Sequence, residues 1–209
     1  MEVNITREEL DRAFDARFPV EIKKKMHAAR VAVAGLGGLG SQIAVMLARS
    51  GVGHLHLTDF DVVDVTNLNR QMYFVEHLGR PKTEALADLL RRINPWIDLE
   101  LHQMRVTEGD IPELYRSYPL VCEAFDKPDQ KAMLVRTLLE TCPDTTIVSG
   151  NGMAGYVDAD TIHTEQKFRR LYVCGDGTTD VGDGIGLMAP RVSVCAGHMA
   201  NKVVQLILH

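Results

Sequence analysis

The fold of this chain is decided by the stretch Val31-Ala-Val-Ala-Gly-Leu-Gly-Gly-Leu-Gly-Ser41. Four small apolar residues predict a buried strand, and they run into a turn with the spacing G-x-G-x-x-G at Gly35, Gly37 and Gly40, with Gly38 as an additional glycine. Apolar residues at helical spacing follow at once. A strand, a tight turn and a helix in this order present backbone N–H groups and a helix N-terminus to a phosphate, so the stretch predicts a nucleotide site without saying which nucleotide.

The composition is that of an ordinary globular protein. The 209 residues are 45% hydrophobic and 24% charged, which is enough for one substantial core. A net charge of −5 disfavours nonspecific binding to nucleic acid. No apolar run approaches the roughly 20 residues of a membrane-spanning helix, and the polar, acidic N-terminus is unlike a signal peptide. We therefore expect a cytoplasmic protein with neither membrane nor nucleic-acid partners.

The cysteines are arranged unlike those of a structural zinc site. They lie far apart, with no C-x-x-C pair, at Cys122, Cys142, Cys174 and Cys195. This spacing excludes the usual Cys₄ zinc pattern and gives no disulfide framework. We therefore expect no zinc.

The order of apolar segments predicts an α/β fold, namely a Rossmann-like, mostly parallel sheet with helices on both faces and a C-terminal antiparallel strand extension. We expect a single domain, residues 1–209, made of an N-terminal helical segment (1–29), a nucleotide-binding βαβ core (30–150) and a closing part (151–209). In the closing part the pattern predicts strands at 156–163 and 167–173, a mobile loop at 174–184 and a last helix at 192–208.

Carboxylates follow two of the predicted buried strands. Asp59 comes after the alternating strand 54–58, at about the distance from the glycine turn expected of a ribose-binding carboxylate, and Asp61 is two residues further on. Asp126 ends a second predicted strand, 120–126. Because ligands bind beyond the carboxyl ends of the strands in an open parallel sheet, we expect these carboxylates at the same edge as the glycine turn.

Side chains that can reach phosphates cluster between the second strand and the next helix. Asn67, Arg70 and Gln71 lie in one short run, and Lys82 stands in the first turn of the helix that Pro81 opens. A lysine in that position opposes the helix dipole, which indicates an anionic partner.

Two histidines share one face of the second strand, His54 and His56. They could be imagined as metal ligands, but no third ligand is close in sequence. We therefore expect them to be exposed strand positions.

Five motifs follow one another along the chain: Gly35-Leu-Gly-Gly-Leu-Gly40, Asp59-Phe-Asp61, Asn67-Leu-Asn-Arg-Gln71, Pro81-Lys82 and the strand ending in Asp126. In this combination, and over nearly its whole length, the chain resembles the ThiF/MoeB/HesA family of ubiquitin-activating-enzyme-like adenylyltransferases. It is most similar to the short, zinc-free ThiF subclass, which adenylates the sulfur carrier ThiS in thiamine biosynthesis. The subclass is indicated by Glu123-Ala-Phe-Asp126, Gly152-Met-Ala-Gly155 and Leu187-Met-Ala-Pro-Arg-Val192.

The resemblance implies an ATP site at the motifs already quoted. The glycine turn (Gly35, Gly37, Gly38 and Gly40) would hold the phosphates, and Asp59, with Asp61 beside it, would bind the ribose. The triphosphate would be held by Asn67, Arg70, Gln71 and Lys82.

The resemblance also implies the catalytic groups. Arg70 and Lys82 would stabilise the departing pyrophosphate, and Asp126 would hold Mg²⁺. In the family an N-terminal arginine reaches into the partner subunit's site, and Arg17 is the candidate in a homodimer of this chain.

The implied reaction joins a carrier protein to AMP. The C-terminal glycine carboxylate of a ubiquitin-fold sulfur carrier ending in Gly-Gly would attack the α-phosphorus of ATP and release pyrophosphate. Because the carboxylate is already ionised, the chemistry needs positioning and cations rather than a general base.

Two departures from the family bear on these roles. Lys127 follows the metal-site aspartate, where the wider family often has Asn. Some relatives carry a cysteine in the crossover loop that joins covalently to the carrier or to a persulfide. Cys174 is the candidate for such a covalent thiol, whereas Cys122 and Cys195 lie in apolar segments and are expected to be core thiols.

Other functions are compatible with part of this pattern. An NAD(P)-binding oxidoreductase would explain the glycine turn and Asp59, but not Arg70, Lys82 or Asp126. A nonenzymatic module could retain the fold. A different ubiquitin-like carrier, such as the small subunit of molybdopterin synthase, would present the same diglycine tail.

Overall fold

The computed structural model describes residues 5–209, so the first four residues of the predicted N-terminal helical segment lie outside the described part. Two short helices, α1 (Arg7–Asp15) and α2 (Val20–Ala28), precede the sheet. Thr6 caps α1 in a reciprocal capping box with Glu9, which satisfies two backbone N–H groups at the start of the helix.

The core alternates strands and helices as the sequence predicts. Its elements are β1 (Arg30–Ala34), α3 (Gly38–Arg49), β2 (His54–Asp59), α4 (Lys82–Ile93), β3 (Asp98–Gln103), α5 (Ile111–Tyr115), β4 (Leu120–Glu123), α6 (Pro128–Thr141) and β5 (Thr146–Gly150). The chain closes with β6 (His163–Phe168), β7 (Leu171–Gly175) and α7 (Ala189–Leu208).

The seven strands found in residues 5–209 form one sheet in the order β3-β2-β1-β4-β5-β7-β6. All neighbours are parallel except β6, which pairs antiparallel with β7 at the edge. The predicted fold class and its antiparallel extension are therefore confirmed. The chain reverses its direction across the sheet between β1 and β4, and ligands of open α/β sheets bind at the carboxyl ends of strands around such a point.

Alternate residues of β1 enter two cores. Val31 and Val33 pack with α3, α4 and α7 on one face, while Ala32 and Ala34 pack with α5 and α6 on the other. A strand covered on both faces is continuously apolar rather than alternating, as β1 is.

Within residues 5–209, no helix combines the length and apolar character that a bilayer-spanning helix requires.

The predicted strand at 156–163 is wrong. This segment runs as irregular chain with a 3₁₀ turn at Ala159–Thr161, and β6 begins only at His163. The carbonyl oxygens of Val157 and Asp158 accept hydrogen bonds from the guanidinium of Arg191, so they are not free to pair with a strand.

Candidate functional site

The glycine turn connects β1 to α3 in a form that requires glycine at two positions. Gly35 has a φ of 90°, and a Cβ there would lie 2.7 Å from the carbonyl oxygen of Ala124. A Cβ on Gly40 would lie 1.8 Å from the Gly35 oxygen. A larger residue at Gly35 would push the turn away from the end of β4, and one at Gly40 would push α3 away from the turn.

The turn directs α3 at a cavity of about 560 Å³ between the ends of β1 and β4. Gly37 is the N-cap of α3 and supplies no side-chain cap. The first N–H groups of this 12-residue helix, and the positive end of its dipole, are therefore available to an anion in the cavity.

The cavity wall brings together most of the side chains predicted from sequence. Among them are Gly35, Gly37, Gly38, Asp59, Asp61, Asn67, Arg70, Gln71, Lys82 and Asp126, and Lys127 joins them. Gly40 is not part of the cavity wall. Because it has no side chain, the first turn of α3 can pack directly against the carbonyl oxygen of Gly35.

Asp59 holds the glycine turn in place. Its Oδ2 accepts the N–H of Leu36 at 2.6 Å, and its Oδ1 accepts the N–H of Asp61 at 2.8 Å. Tyr73 adds a second tie, because its hydroxyl donates to the Leu36 carbonyl at 2.8 Å. Burial raises the pKa of the Asp59 carboxyl, although the charge of Lys82 and the two N–H donors oppose the shift.

Lys82 reaches the cavity from the first turn of α4. It is only 5% exposed, and its Nζ donates to Asp61 Oδ2 at 3.0 Å. Because a buried ammonium needs a partner, Asp61 compensates the charge at one side and leaves the remaining N–H bonds for an anion.

Arg70 and Gln71 present their polar groups from the turn after β2. The guanidinium of Arg70 donates to Asn69 Oδ1 at 2.7 Å and to the Thr66 carbonyl at 3.1 Å. Gln71 is buried, and its Oε1 finds no hydrogen-bond partner within residues 5–209. A buried, unpaired acceptor of this kind on a cavity wall fits a ligand that donates hydrogen bonds, as the hydroxyl and amino groups of a nucleotide do.

Asp126 is exposed at the cavity mouth, just beyond β4. Its carboxylate oxygens are the type of donor that Mg²⁺ takes from proteins when substrate phosphates complete the coordination. Beneath it the buried Glu123 accepts from Lys131 at 2.7 Å and from Ser149 at 2.6 Å. This ion pair fixes the end of β4 and places a further ammonium group, that of Lys131, in the cavity wall.

Two predicted site residues are not brought to the cavity. Arg17 is exposed and follows α1, whose Phe14 packs against Gly51 and His27 before the start of β2. That end of the parallel sheet is opposite the glycine turn, so Arg17 cannot complete the site of its own chain.

Cys174 belongs to β7 rather than to the predicted mobile loop. Its side chain is buried, its Sγ lies 3.3 Å from Thr164 Oγ1, and burial raises the pKa of the thiol. Covalent chemistry needs an accessible thiolate, so the structure contradicts the expected role for Cys174. Cys122 and Cys195 are fully buried, which confirms them as core thiols.

The expectation that His54 and His56 are exposed is also wrong. Both are buried on the α5 face of β2, and β3 supplies the partners that the local sequence does not contain. The parallel register sets His56 against Glu100, and Thr58 against His102.

Sequence reasoning missed a buried pair that anchors the far wall of the cavity. Arg191, in the first turn of α7, donates to the carbonyl oxygen of Ala154 at 3.1 Å and pairs with the carboxylate of Asp176. Arg191 is 3% exposed. The only sequence signal was an arginine inside an otherwise apolar helix start.

Arg105 was missed as well. Its guanidinium lies 4.0 Å from the centre of the Phe60 ring, and both residues line the cavity. Arg105 follows the end of β3, so the rule that pointed to Asp59 and Asp126 could have found it.

Comparison with known proteins identifies relatives of this chain. The sequence model described as the ThiF family matches residues 10–209. A molybdopterin-synthase adenylyltransferase from Salmonella typhimurium is 32% identical over 203 residues, which cover 92% of this chain and 78% of that protein. A probable adenylyltransferase/sulfurtransferase, MoeZ, from Mycobacterium tuberculosis is 39% identical over 108 residues, or 51% of this chain. The match spans 28% of the MoeZ length.

A solved structure has the same fold. The tRNA N6-threonylcarbamoyladenosine dehydratase TcdA of E. coli, crystallised with ATP, superposes with a TM-score of 0.86 at 23% identity, covering 98% of this chain and 97% of that one.

Proposed function

The chain belongs to the ThiF family, and on this basis we propose that it is an ATP-dependent adenylyltransferase that activates the C-terminal glycine carboxylate of a ubiquitin-fold sulfur carrier. The observation that carries the proposal is the cavity itself. One wall offers the N-terminus of α3 to phosphates, and the cations Arg70 and Lys82 stand beside it. The names of the Salmonella and Mycobacterium relatives support the same reaction class.

The phosphates of ATP would lie against the first N–H groups of α3. Lys82 and Arg70 would contact the β- and γ-phosphates, where negative charge accumulates as pyrophosphate departs. Fixed cations in a shielded cleft stabilise such charge without reorganising during the reaction. Asp59 would keep the turn in shape and bind the ribose.

The carrier tail would approach from the opposite wall, formed by Gly150–Ala154 and Thr179–Val181. An ionised carboxylate oxygen attacks the α-phosphorus, the bond to the bridging oxygen breaks, and pyrophosphate leaves with the electron pair. Two anions must meet in this step, so the cations Lys127 and Lys131 on the wall would reduce their repulsion.

Asp126 would hold Mg²⁺, which neutralises phosphate charge when it is bound. The carboxylate fits the ion by donor chemistry and by its place in the cavity wall.

We further propose that the carrier is ThiS-like, that the enzyme works in the cytoplasm and that it acts as a homodimer. The ThiS assignment rests on the subclass motifs around Asp126, Gly152 and Arg191. The dimer is supported by Arg17, which is exposed at the end of the sheet opposite its own cavity, so that any role for it in an active site would be in that of a partner subunit.

The test is ATP–pyrophosphate exchange with Mg²⁺ and purified carriers. We expect exchange that depends on a ThiS-like carrier and disappears when the terminal glycine of the carrier is deleted. Exchange with the small subunit of molybdopterin synthase alone would keep the reaction and change the carrier. No exchange with any diglycine carrier, together with tight binding of NAD(H), would replace the proposal by an oxidoreductase.

A further inference from the structure

Outside the nucleotide cavity, a group of side chains of the types that bind metal ions lies between β2 and the edge strand β3. It consists of His56, Glu100 and His102, whose donor atoms all lie within 4.8 Å of one another. Glu100 Oε1 is 3.5 Å from His56 Nδ1 and 2.8 Å from His102 Nε2. These three residues are absent from the wall of the nucleotide cavity, so the group is a separate site.

His56 points an unpaired nitrogen at this group. The side chain is fully buried, and its Nδ1 has no hydrogen-bond partner in the described part of the chain. Its other nitrogen, Nε2, is 2.7 Å from the Thr58 hydroxyl. If Nε2 carries the proton and donates to Thr58, the lone pair of Nδ1 is directed at Glu100. A histidine ligand to a metal is held in this manner, with the second nitrogen donating to a fixed acceptor.

We propose that His56 Nδ1, Glu100 Oε1 and His102 Nε2 bind one divalent first-row transition ion of the Zn²⁺ class. Two imidazoles and one carboxylate form a donor set that suits such ions and leaves a fourth position for water. This set contains no cysteine, so the spacing of the thiols does not bear on it.

The distances require a small adjustment in one side chain. Donors of a tetrahedral zinc site are roughly 3.4 Å apart for bonds of about 2.1 Å, close to the 3.5 Å between His56 Nδ1 and Glu100 Oε1. The ring of His102 lies nearly parallel to that of His56, with centroids 4.6 Å apart. The 2.8 Å between His102 Nε2 and Glu100 Oε1 is shorter than the donor spacing of a zinc site. Nε2 of His102 must therefore give up its hydrogen bond to Glu100 and turn toward the ion. His102 is partly exposed and Glu100 is exposed, so the ion has a route from solvent.

Glu100 is itself held in place by the layer behind it. Tyr118 donates its hydroxyl to the second carboxylate oxygen, Oε2, at 2.7 Å, and His54 Nε2 lies 2.8 Å from the same hydroxyl. Since the ligands come from β2 and β3, a bound ion would tie the edge strand to its neighbour and stabilise that side of the sheet.

The test is calorimetric titration of the chelator-treated, full-length protein with ZnCl₂ and with CoCl₂, without ATP or Mg²⁺. We expect one ion per chain and visible absorption bands from Co²⁺. Glu100→Gln and His102→Gln should each weaken binding at least about tenfold, since each removes a ligand. His163→Gln is the matched control, because His163 is an exposed histidine on the opposite edge strand, and it should bind as the wild type does.

Zinc should also raise the thermal unfolding midpoint of the wild type and of His163→Gln, and should fail to do so in the other two variants. Far-UV circular dichroism and ATP binding establish that every variant is folded. The proposal is overturned if the wild type binds neither ion, or if Glu100→Gln and His102→Gln bind as tightly as His163→Gln. Either result would make the group a hydrogen-bonded network without a metal.

Discussion

Lys82 Nζ lies 3.0 Å from Asp61 Oδ2, and this pair forms part of the cavity wall at the end of β2. The lysine is almost completely buried, whereas the aspartate side chain is 46% exposed. The exposed carboxylate of Asp61 therefore holds the buried ammonium group of Lys82, the first residue of α4, toward the site.

Replacing Lys82 by Ala should lower the rate of ATP–pyrophosphate exchange by about 10²- to 10³-fold, the usual cost of removing one fixed charge donor from a transition state. The loss should fall mainly on turnover rather than on the KM for ATP. Arg91→Ala, on the exposed side of the same helix, is the control and should leave exchange unchanged. Full exchange in Lys82→Ala would remove this residue from the mechanism.

Asp126→Asn should abolish most of the exchange and raise the Mg²⁺ concentration needed for the remainder, because an amide is a weaker ligand for this ion. Asp129→Asn changes an exposed aspartate three positions further along, outside the cavity wall, and should behave as the wild type. Exchange measured across a Mg²⁺ series distinguishes the two. Equal Mg²⁺ dependence in both variants would contradict the assignment of Asp126.

Substitution by alanine at two glycines, Gly40 and Gly197, should change the stability of the protein in opposite directions. Gly40→Ala should destabilise the protein and weaken ATP binding, because its Cβ would meet the Gly35 oxygen at 1.8 Å. Gly197 lies within α7 with nothing within 4 Å of a built Cβ, so Gly197→Ala should stabilise the protein by about 0.5–1 kcal/mol. Urea unfolding of both variants measures these changes, and a stable Gly40→Ala protein with normal ATP affinity would refute the described turn.

Asp176 should make the protein sensitive to acid. Burial alone would raise the pKa of its carboxyl, but the N–H groups of Thr179 and Thr178 and the guanidinium of Arg191 together hold this pKa well below the ordinary value of 3.8. The unfolded chain therefore takes up the proton first, and the stability contributed by Asp176 is present above pH 3.8 and is lost as the pH falls below it.

Urea unfolding at pH 7, 4 and 3 tests this relationship. Asp176→Asn should be less stable than the wild type at pH 7, and the difference should shrink toward pH 3. A difference that stays constant over this range would show that the carboxyl does not titrate as described.

The four cysteines should react slowly with a thiol reagent in the native protein, since all four are buried. Burial raises the pKa of Cys195 to about 12, which leaves little thiolate at neutral pH. Unfolding in denaturant should release all four thiols. Cys174→Ala should keep carrier-dependent exchange within about twofold of the wild type, and rapid labelling of Cys174 in the native state would reverse our correction.

The part of the site that depends on backbone conformation and sheet topology could be predicted from the sequence. Gly35 needs a positive φ and Gly40 a close approach, and Asp59 and Asp126 follow strands of a parallel sheet, whose carboxyl ends meet at one edge. Such features depend on local spacing and on topology, both of which can be deduced from one chain.

What sequence reasoning missed depends on pairing between distant segments. The partners of His56 come from β3, more than 40 residues away, and only the strand register places them. Arg191 is explained by carbonyl oxygens and by Asp176, which no spacing rule connects to it. The error at Cys174 arose from β7 extending to Gly175, which turns an expected loop thiol into a core one.

The contact between Asp59 and the Leu36 N–H has a consequence for how a nucleotide is captured. Because the carboxylate and the Tyr73 hydroxyl already fix the turn, its conformational entropy is lost when the chain folds and not when ATP arrives. ATP would therefore meet a receptor whose shape is set in advance, and weakening that contact should speed nucleotide dissociation more than it slows association.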